Sequence, residues 1–199
     1  MAEVILGIDA GWESAGEVEH AVLELAGRLG LAPDAILCTH IVRAGTPHYA
    51  GTLTLPAHDE VLARATGSEA IAGAGVALLA SGTGPWTSGP EQLAQSALAV
   101  AGERVECRDG RAVQFPGAGL LTGRVPVSDV LAGTAIEQVA VLGGTLPPAA
   151  VLETRDFVRP QWRDGRLVLL ALPGGEGAGG ENLVAPFEVP NPTPCCGGH

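Results

Sequence analysis

Val4, Ile5, Leu6 and Ile8 form a short apolar run rich in β-branched residues, which predicts a buried strand over residues 3–8. Ser14-Ala15-Gly16-Glu17 follows, a serine with a glutamate three residues on. That spacing is a capping box: the hydroxyl accepts a free amide of the first helical turn, and the carboxylate reaches back to the amide of the cap. Val18, Val22, Leu25 and Leu29 then recur at helical spacing, and Gly30 sits where a helix would stop. Ala35 to Val42 returns to a strand-like run. The order strand, helix, strand predicts a parallel β-α-β unit.

The pattern weakens after residue 43. Residues 44–56 read as a loop with a short strand over 51–55, and 59–65 as a short helix. Residues 69–79, dominated by Ala and Gly, read as a closely packed helix or as a helix running into a strand. Residues 83–90 read as a loop and 91–100 as a helix. Beyond 102 the apolar positions favour strands and turns. Arg108-Asp109-Gly110 lies between 104–107 and 111–115, and Arg163-Asp164-Gly165 lies between 157–162 and 166–172. Asp-Gly between alternating segments is a hairpin signal. A short helix over 127–136, a strand over 138–142 and a last edge strand over 183–189 complete the pattern. Pro190, Pro192 and Pro194 lack the amide donor a central strand needs, so the end of the chain reads as an extended arm. The expected fold is α+β: an N-terminal β-α-β unit followed by a β-rich half with two Asp-Gly hairpins. It is expected as one domain over 1–189 with a subdomain break near 101, and a Pro-rich arm over 190–199.

Composition sharpens this picture mostly by exclusion. Hydrophobic residues make up 46% of the 199, yet only 3 Phe, 3 Trp and 1 Tyr are present, so the core must be Ala, Val, Leu and Ile. All 11 basic residues are arginine. A chain without lysine has no P-loop lysine, no Schiff-base lysine and no lysine general base. The net charge of −11 disfavours nucleic acid and anionic membrane surfaces, and leaves metal cations and small molecules as partners. Gly73-Ala74-Gly75 lacks the third glycine of a dinucleotide fingerprint, and no serine sits in a Gly-x-Ser-x-Gly elbow. No basic leader or membrane-length apolar run is present, and four cysteines at 38, 107, 195 and 196 do not make a disulfide framework. A cytoplasmic protein with reduced thiols is the expectation.

The most pointed chemistry is the tail, Cys195-Cys196-Gly197-Gly198-His199. Thiolate and imidazole suit zinc or copper, although adjacent cysteines match no spaced-pair zinc motif. A metal site, thiol redox chemistry and a tail without a ligand are all compatible with it. Cys38-Thr39-His40 ends the second expected strand, where parallel α/β sheets bind ligands, and either side chain could join a returning tail. His48 and His58, the latter beside Asp59-Glu60, could supply acid–base chemistry. Asp9 ends the first strand just before Gly11, a place for a functional carboxylate or for a turn. Arg155 and Arg159 would share a face of the second hairpin and could hold a carboxylate or phosphate.

The run Gly67-Ser68-Glu69-Ala70-Ile71-Ala72 through Ala80-Ser81-Gly82 resembles the helix after the nucleophile in thiolase-like condensing enzymes, with Thr66 where their cysteine stands. Ile5-Leu6-Gly7-Ile8 with Glu17-Val18-Glu19 is similar to a small cobalamin-biosynthesis domain. Two unrelated families fitting one stretch mark a generic pattern, and neither lends a site residue. The leading expectation is therefore binding of a transition metal ion (zinc or copper) or a small ligand, with Cys195, Cys196 and His199 contributing. A metal-independent enzyme acting on a small metabolite through His40, His48, His58, Arg155 and Arg159 is the alternative. The third reading is an interaction module whose arm docks into a partner or a second copy of the chain.

Overall fold

The computed structural model describes residues 3–80, 84–177 and 179–190. Along them run β1 (Glu3–Trp12), α1 (Ala15–Leu29), β2 (Leu37–Val42), β3 (His48–Pro56), α2 (Asp59–Thr66), β4 (Gly75–Ala80), β5 (Trp86–Ser88) and α3 (Glu91–Val105). Then come β6 (Arg111–Gln114), β7 (Arg124–Pro126), α4 (Val127–Gly133), β8 (Gln138–Val141), β9 (Val151–Glu153), β10 (Gln161–Arg163), β11 (Arg166–Glu176) and β12 (Asn182–Pro186). The fold is mixed α+β, as expected. The chain divides into two compact units: Met1–Pro116 with Gln161–Leu167, and Gly117–Pro160 with Val168 onward.

In the first unit the strand order is β5-β4-β1-β3-β2-β6-β10, with antiparallel neighbours. The N-terminal β-α-β unit is present, and β1 and β2 run parallel because each is antiparallel to β3, which lies between them. The capping box forms: Ser14 Oγ accepts the Glu17 amide at 3.3 Å, and Glu17 Oε2 accepts the Ser14 amide at 3.0 Å. Gly30 takes the left-handed conformation that ends the helix. Ser14→Ala is expected to cost about 1 kcal/mol, read as a lower melting temperature without a change in helix content at room temperature.

The two faces of this sheet differ in chemistry. A Cβ at Gly51 would lie 2.6 Å from a methyl of Val22, so that face of β3 looks at α1. Leu53 is on the same face by alternation, with Leu6 and Leu37 as its register partners on either side. These leucines join Ile8, Val18, Val22, Leu25, Leu29 and Leu55 in one apolar core. A Cβ at Gly7 would instead lie 2.1 Å from the Ala97 carbonyl oxygen, so the opposite face looks at α3. By the same alternation that face carries Asp9 from β1, Cys38 and His40 from β2, and His48, Thr52 and Thr54 from β3. All of these but His48 are buried. One side of the sheet is a leucine core; the other is a buried polar lining under an alanine-rich helix.

Several expectations change. β3 begins at His48, three residues before the expected strand over 51–55, and β5 occupies part of the expected 83–90 loop. The stretch after Thr66 holds only one 3-10 turn, Glu69–Ile71, before β4. Of the hairpin strand expected over 104–107, residues 104–105 are the end of α3 and 106–107 turn out of it, because Ala94, Ala97, Val100, Ala101 and Arg104 continue the helical stripe that packs on the sheet. The second Asp-Gly signal does form a turn: Asp164 and Gly165 both have positive φ, 49° and 81°, the pattern of a tight hairpin turn.

In the second unit the order is β7-β9-β12-β11, with β8 on the far side of β11. β8 and β9 pair in parallel with β11 and β12 respectively, and the other contacts are antiparallel. β12 therefore lies between two strands rather than at an edge. No helix among the described residues is long and apolar enough to cross a membrane.

Candidate functional site

Two polar clusters occupy the α3 face of the first unit. One centres on His40, whose side chain is fully buried. Its Nε2 lies 3.0 Å from Thr52 Oγ1, and its Nδ1 lies 3.4 Å from Glu103 Oε2, brought in by the last turn of α3. The alignment at Nδ1 makes no hydrogen bond, so His40 Nδ1 and Glu103 Oε2 are buried atoms without a hydrogen-bond partner, facing each other across an ion-pair distance. Arg104 lies beside them with its guanidinium 4.5 Å from the centre of the Trp162 ring, and its Nη1 donates to Cys107 Sγ at 3.5 Å. Arg104 Nε and Trp162 Nε1 are also buried without an aligned acceptor. Trp162 arrives on β10, tied to the turn before β6 by the hydrogen bond its amide donates to the Gly110 carbonyl at 2.9 Å.

Buried polar groups are almost always paired, so unpaired ones are informative. Among the described residues five buried side-chain polar atoms lack a hydrogen-bond partner, and four belong to this corner: His40 Nδ1, Glu103 Oε2, Arg104 Nε and Trp162 Nε1. Cys38 shares the corner and the face of His40, opposite Thr52 in register. Burial pushes its thiol up to about 11, although Arg104, Thr52 and Trp162 pull the other way. The thiol is protonated at neutral pH and is not a nucleophile as it stands.

The second cluster is at the end of β1. The register of β1 against β3 slips between Ile8 and Trp12, leaving Asp9, Ala10 and Gly11 against Ala50 alone. Asp9 is fully buried inside this bulge. Its Oδ1 accepts the Gly11 amide at 2.8 Å and its Oδ2 lies 2.8 Å from His48 Nε2. His48 Nδ1 lies 2.8 Å from the Thr46 carbonyl oxygen. Neither ring nitrogen is left free.

The structure brings together Cys38 and His40 of the expected residues, and pairs His48 with Asp9. His58 stands apart, exposed at the start of α2 without a side-chain cap bond. Arg155 and Arg159 do not share a strand face, because the chain between β9 and β10 is not extended: Arg155 and Asp156 both have positive φ. Arg155 is exposed, and the Arg159 guanidinium stacks 4.3 Å from the centre of the Phe157 ring. Cys195, Cys196 and His199 lie outside the described residues. Among the described residues no three His, Cys, Asp or Glu side chains converge on one point.

Glu103, Arg104, Thr52 and Trp162 escaped the sequence reading. One signal was available: Arg104 continues the stripe of Ala97, Val100 and Ala101, and an arginine on a buried stripe needs a reason. No protein-family model, no curated protein and no solved structure matches this chain.

Proposed function

We propose that the first unit binds a transition metal ion, zinc in the first place, between His40 and Glu103. The observation that carries this reading is the 3.4 Å gap between His40 Nδ1 and Glu103 Oε2, two buried lone-pair atoms that make no hydrogen bond, on a buried histidine and a part-buried glutamate. Two ligand atoms about 2.0–2.1 Å from a tetrahedral zinc stand about 3.3–3.4 Å apart. Thr52 Oγ1 can accept the Nε2 proton of His40, which would direct the Nδ1 lone pair at the ion. An imidazole and a carboxylate favour zinc over copper(I), which prefers sulfur. With two donors from these elements, the other positions fall to water or to donors elsewhere in the chain.

The test is metal content after purification in reductant without a metal-binding tag, followed by reconstitution with micromolar zinc or cobalt. One equivalent is expected in the intact protein, with a tetrahedral cobalt spectrum, and a loss of uptake in His40→Phe and Glu103→Gln that keep native circular dichroism. No uptake by the intact protein, or full uptake by Glu103→Gln, would leave a buried ion pair in place of a metal seat. A chain ending at Pro190 separates the donors. Unchanged metal assigns the seat to the first unit with water, whereas lost metal assigns further donors to Cys195, Cys196 or His199.

A further inference from the structure

The bulge of β1 supports a conclusion independent of any metal. We propose that Asp9 and His48 form a proton-dependent latch that holds the loop over residues 43–47 against the sheet, closed when His48 is doubly protonated and loosened when it is not. The argument begins with hydrogen-bond bookkeeping. A neutral imidazole has one donor and one acceptor nitrogen; an imidazolium has two donors. His48 faces two acceptors, the Thr46 carbonyl at 2.8 Å and the Asp9 carboxylate at 2.8 Å. Only the imidazolium satisfies both. A neutral ring would turn a lone pair either on the carbonyl or on a fully buried carboxylate oxygen, and such a mismatch in a dry site is costly.

The latch joins parts that the backbone alone holds weakly. Thr46 belongs to the loop between β2 and β3, which has no ladder partners of its own, and Asp9 belongs to a bulge where the β1–β3 ladder is interrupted. Asp9 also accepts the Gly11 amide, so one carboxylate serves the bulge with one oxygen and the loop with the other. The loop has a further neighbour in α3, where a Cβ on Gly45 would be 3.5 Å from Gln92 Nε2.

The charges around His48 favour the protonated ring. Partial burial pushes its pKa down, but the Thr46 carbonyl and the Asp9 carboxylate outweigh this and hold it above the ordinary 6.5. Among the described residues Asp9 is the charged side chain acting on the ring. Across the β2 ladder stands Val42, and opposite Asp9 on β4 stands Gly75. Glu91, the acidic residue of the first turn of α3, is exposed, Glu103 in its last turn faces His40, and Arg43 is engaged with Asp109 at 3.6 Å. A pKa raised by folding means that the latch contributes fully below 6.5 and is lost as pH rises through the folded value. The loop therefore loosens on the alkaline side.

The experiment is nitrogen-detected NMR of the His48 ring together with amide exchange of residues 43–46, His48 and Gly11 across the same pH range. Below 6.5 both ring nitrogens are expected to carry protons. Protection of these amides, corrected for intrinsic base catalysis, is expected to fall as His48 titrates. The fall amounts to about tenfold for each pH unit between the folded and the free imidazole values. His48→Gln and Asp9→Asn should abolish this pH dependence, and either one that keeps native circular dichroism suffices. A His48 that titrates at or below 6.5, or loop protection that ignores its titration, would overturn the latch.

Discussion

Gly75→Ala is expected to be among the most damaging single-methyl additions in this chain. A Cβ at residue 75 would stand 2.0 Å from the Leu93 carbonyl carbon and 2.2 Å from the Ala94 amide nitrogen, and one at Gly7 would stand 2.1 Å from the Ala97 carbonyl oxygen. These are atoms of the α3 backbone, so no rotamer change relieves the overlap; the helix must lift from the sheet. Lifting it exposes Ala94, Ala97, Val100 and Ala101 and opens the polar lining beneath to water. Overpacking costs typically about 1–3 kcal/mol, and rigid backbone on both sides puts these sites at the top of that range, about 3 kcal/mol each. At about 2–4 °C per kcal/mol for a chain of this length, a melting temperature roughly 6–12 °C lower is expected for Gly75→Ala and for Gly7→Ala. Gly51→Ala meets side-chain methyls of Val22 and Val18, which can give way, and should cost less. A Gly75→Ala protein that melts with the parent would mean that α3 does not seat on β4 as described.

Leu53→Ala is the second large effect. Leu53 is fully buried at the centre of the leucine face, flanked in register by Leu6 and Leu37 and covered by α1. Truncation removes its apolar contacts and leaves a cavity that three neighbouring strands cannot close, at a cost of about 2–5 kcal/mol. Against a total stability of about 5–15 kcal/mol, that is a large share. Urea unfolding should show a lower midpoint with an unchanged slope. Leu23→Ala, at a residue 43% exposed on the outer side of α1, should shift the midpoint far less.

The contrast between these faces explains how much of the fold was legible. The apolar face announces itself: the β1 run, the capping box and the α1 periodicity are local signals that agree with each other and with the structure. β3 was harder to see, because His48-Tyr49-Ala50-Gly51 has no alternation of large apolar residues. Its inner positions are small or polar, since an alanine-rich helix packs directly above them. The hairpin expected around Asp109-Gly110 fails for the opposite reason. A turn signal is local, whereas the stripe that keeps 104–105 helical is satisfied only by contact with the sheet. Cys38 and His40 were legible as a pair by alternation. Glu103 and Trp162, which lie 63 and 122 positions beyond His40, reach the same corner only through tertiary structure.

The return of Gln161–Leu167 to the first unit has a consequence for how the protein is made. Trp162, which covers the Arg104 corner, leaves the ribosome only after the whole of residues 117–160 has been synthesised. Until then β6 has a free edge and the Cys38–His40–Glu103 corner lacks its indole cover, so the nascent first unit is a vulnerable intermediate. A gene fragment cut at Pro116 would preserve that intermediate permanently, and expression boundaries for the first unit must therefore carry the distant strand along.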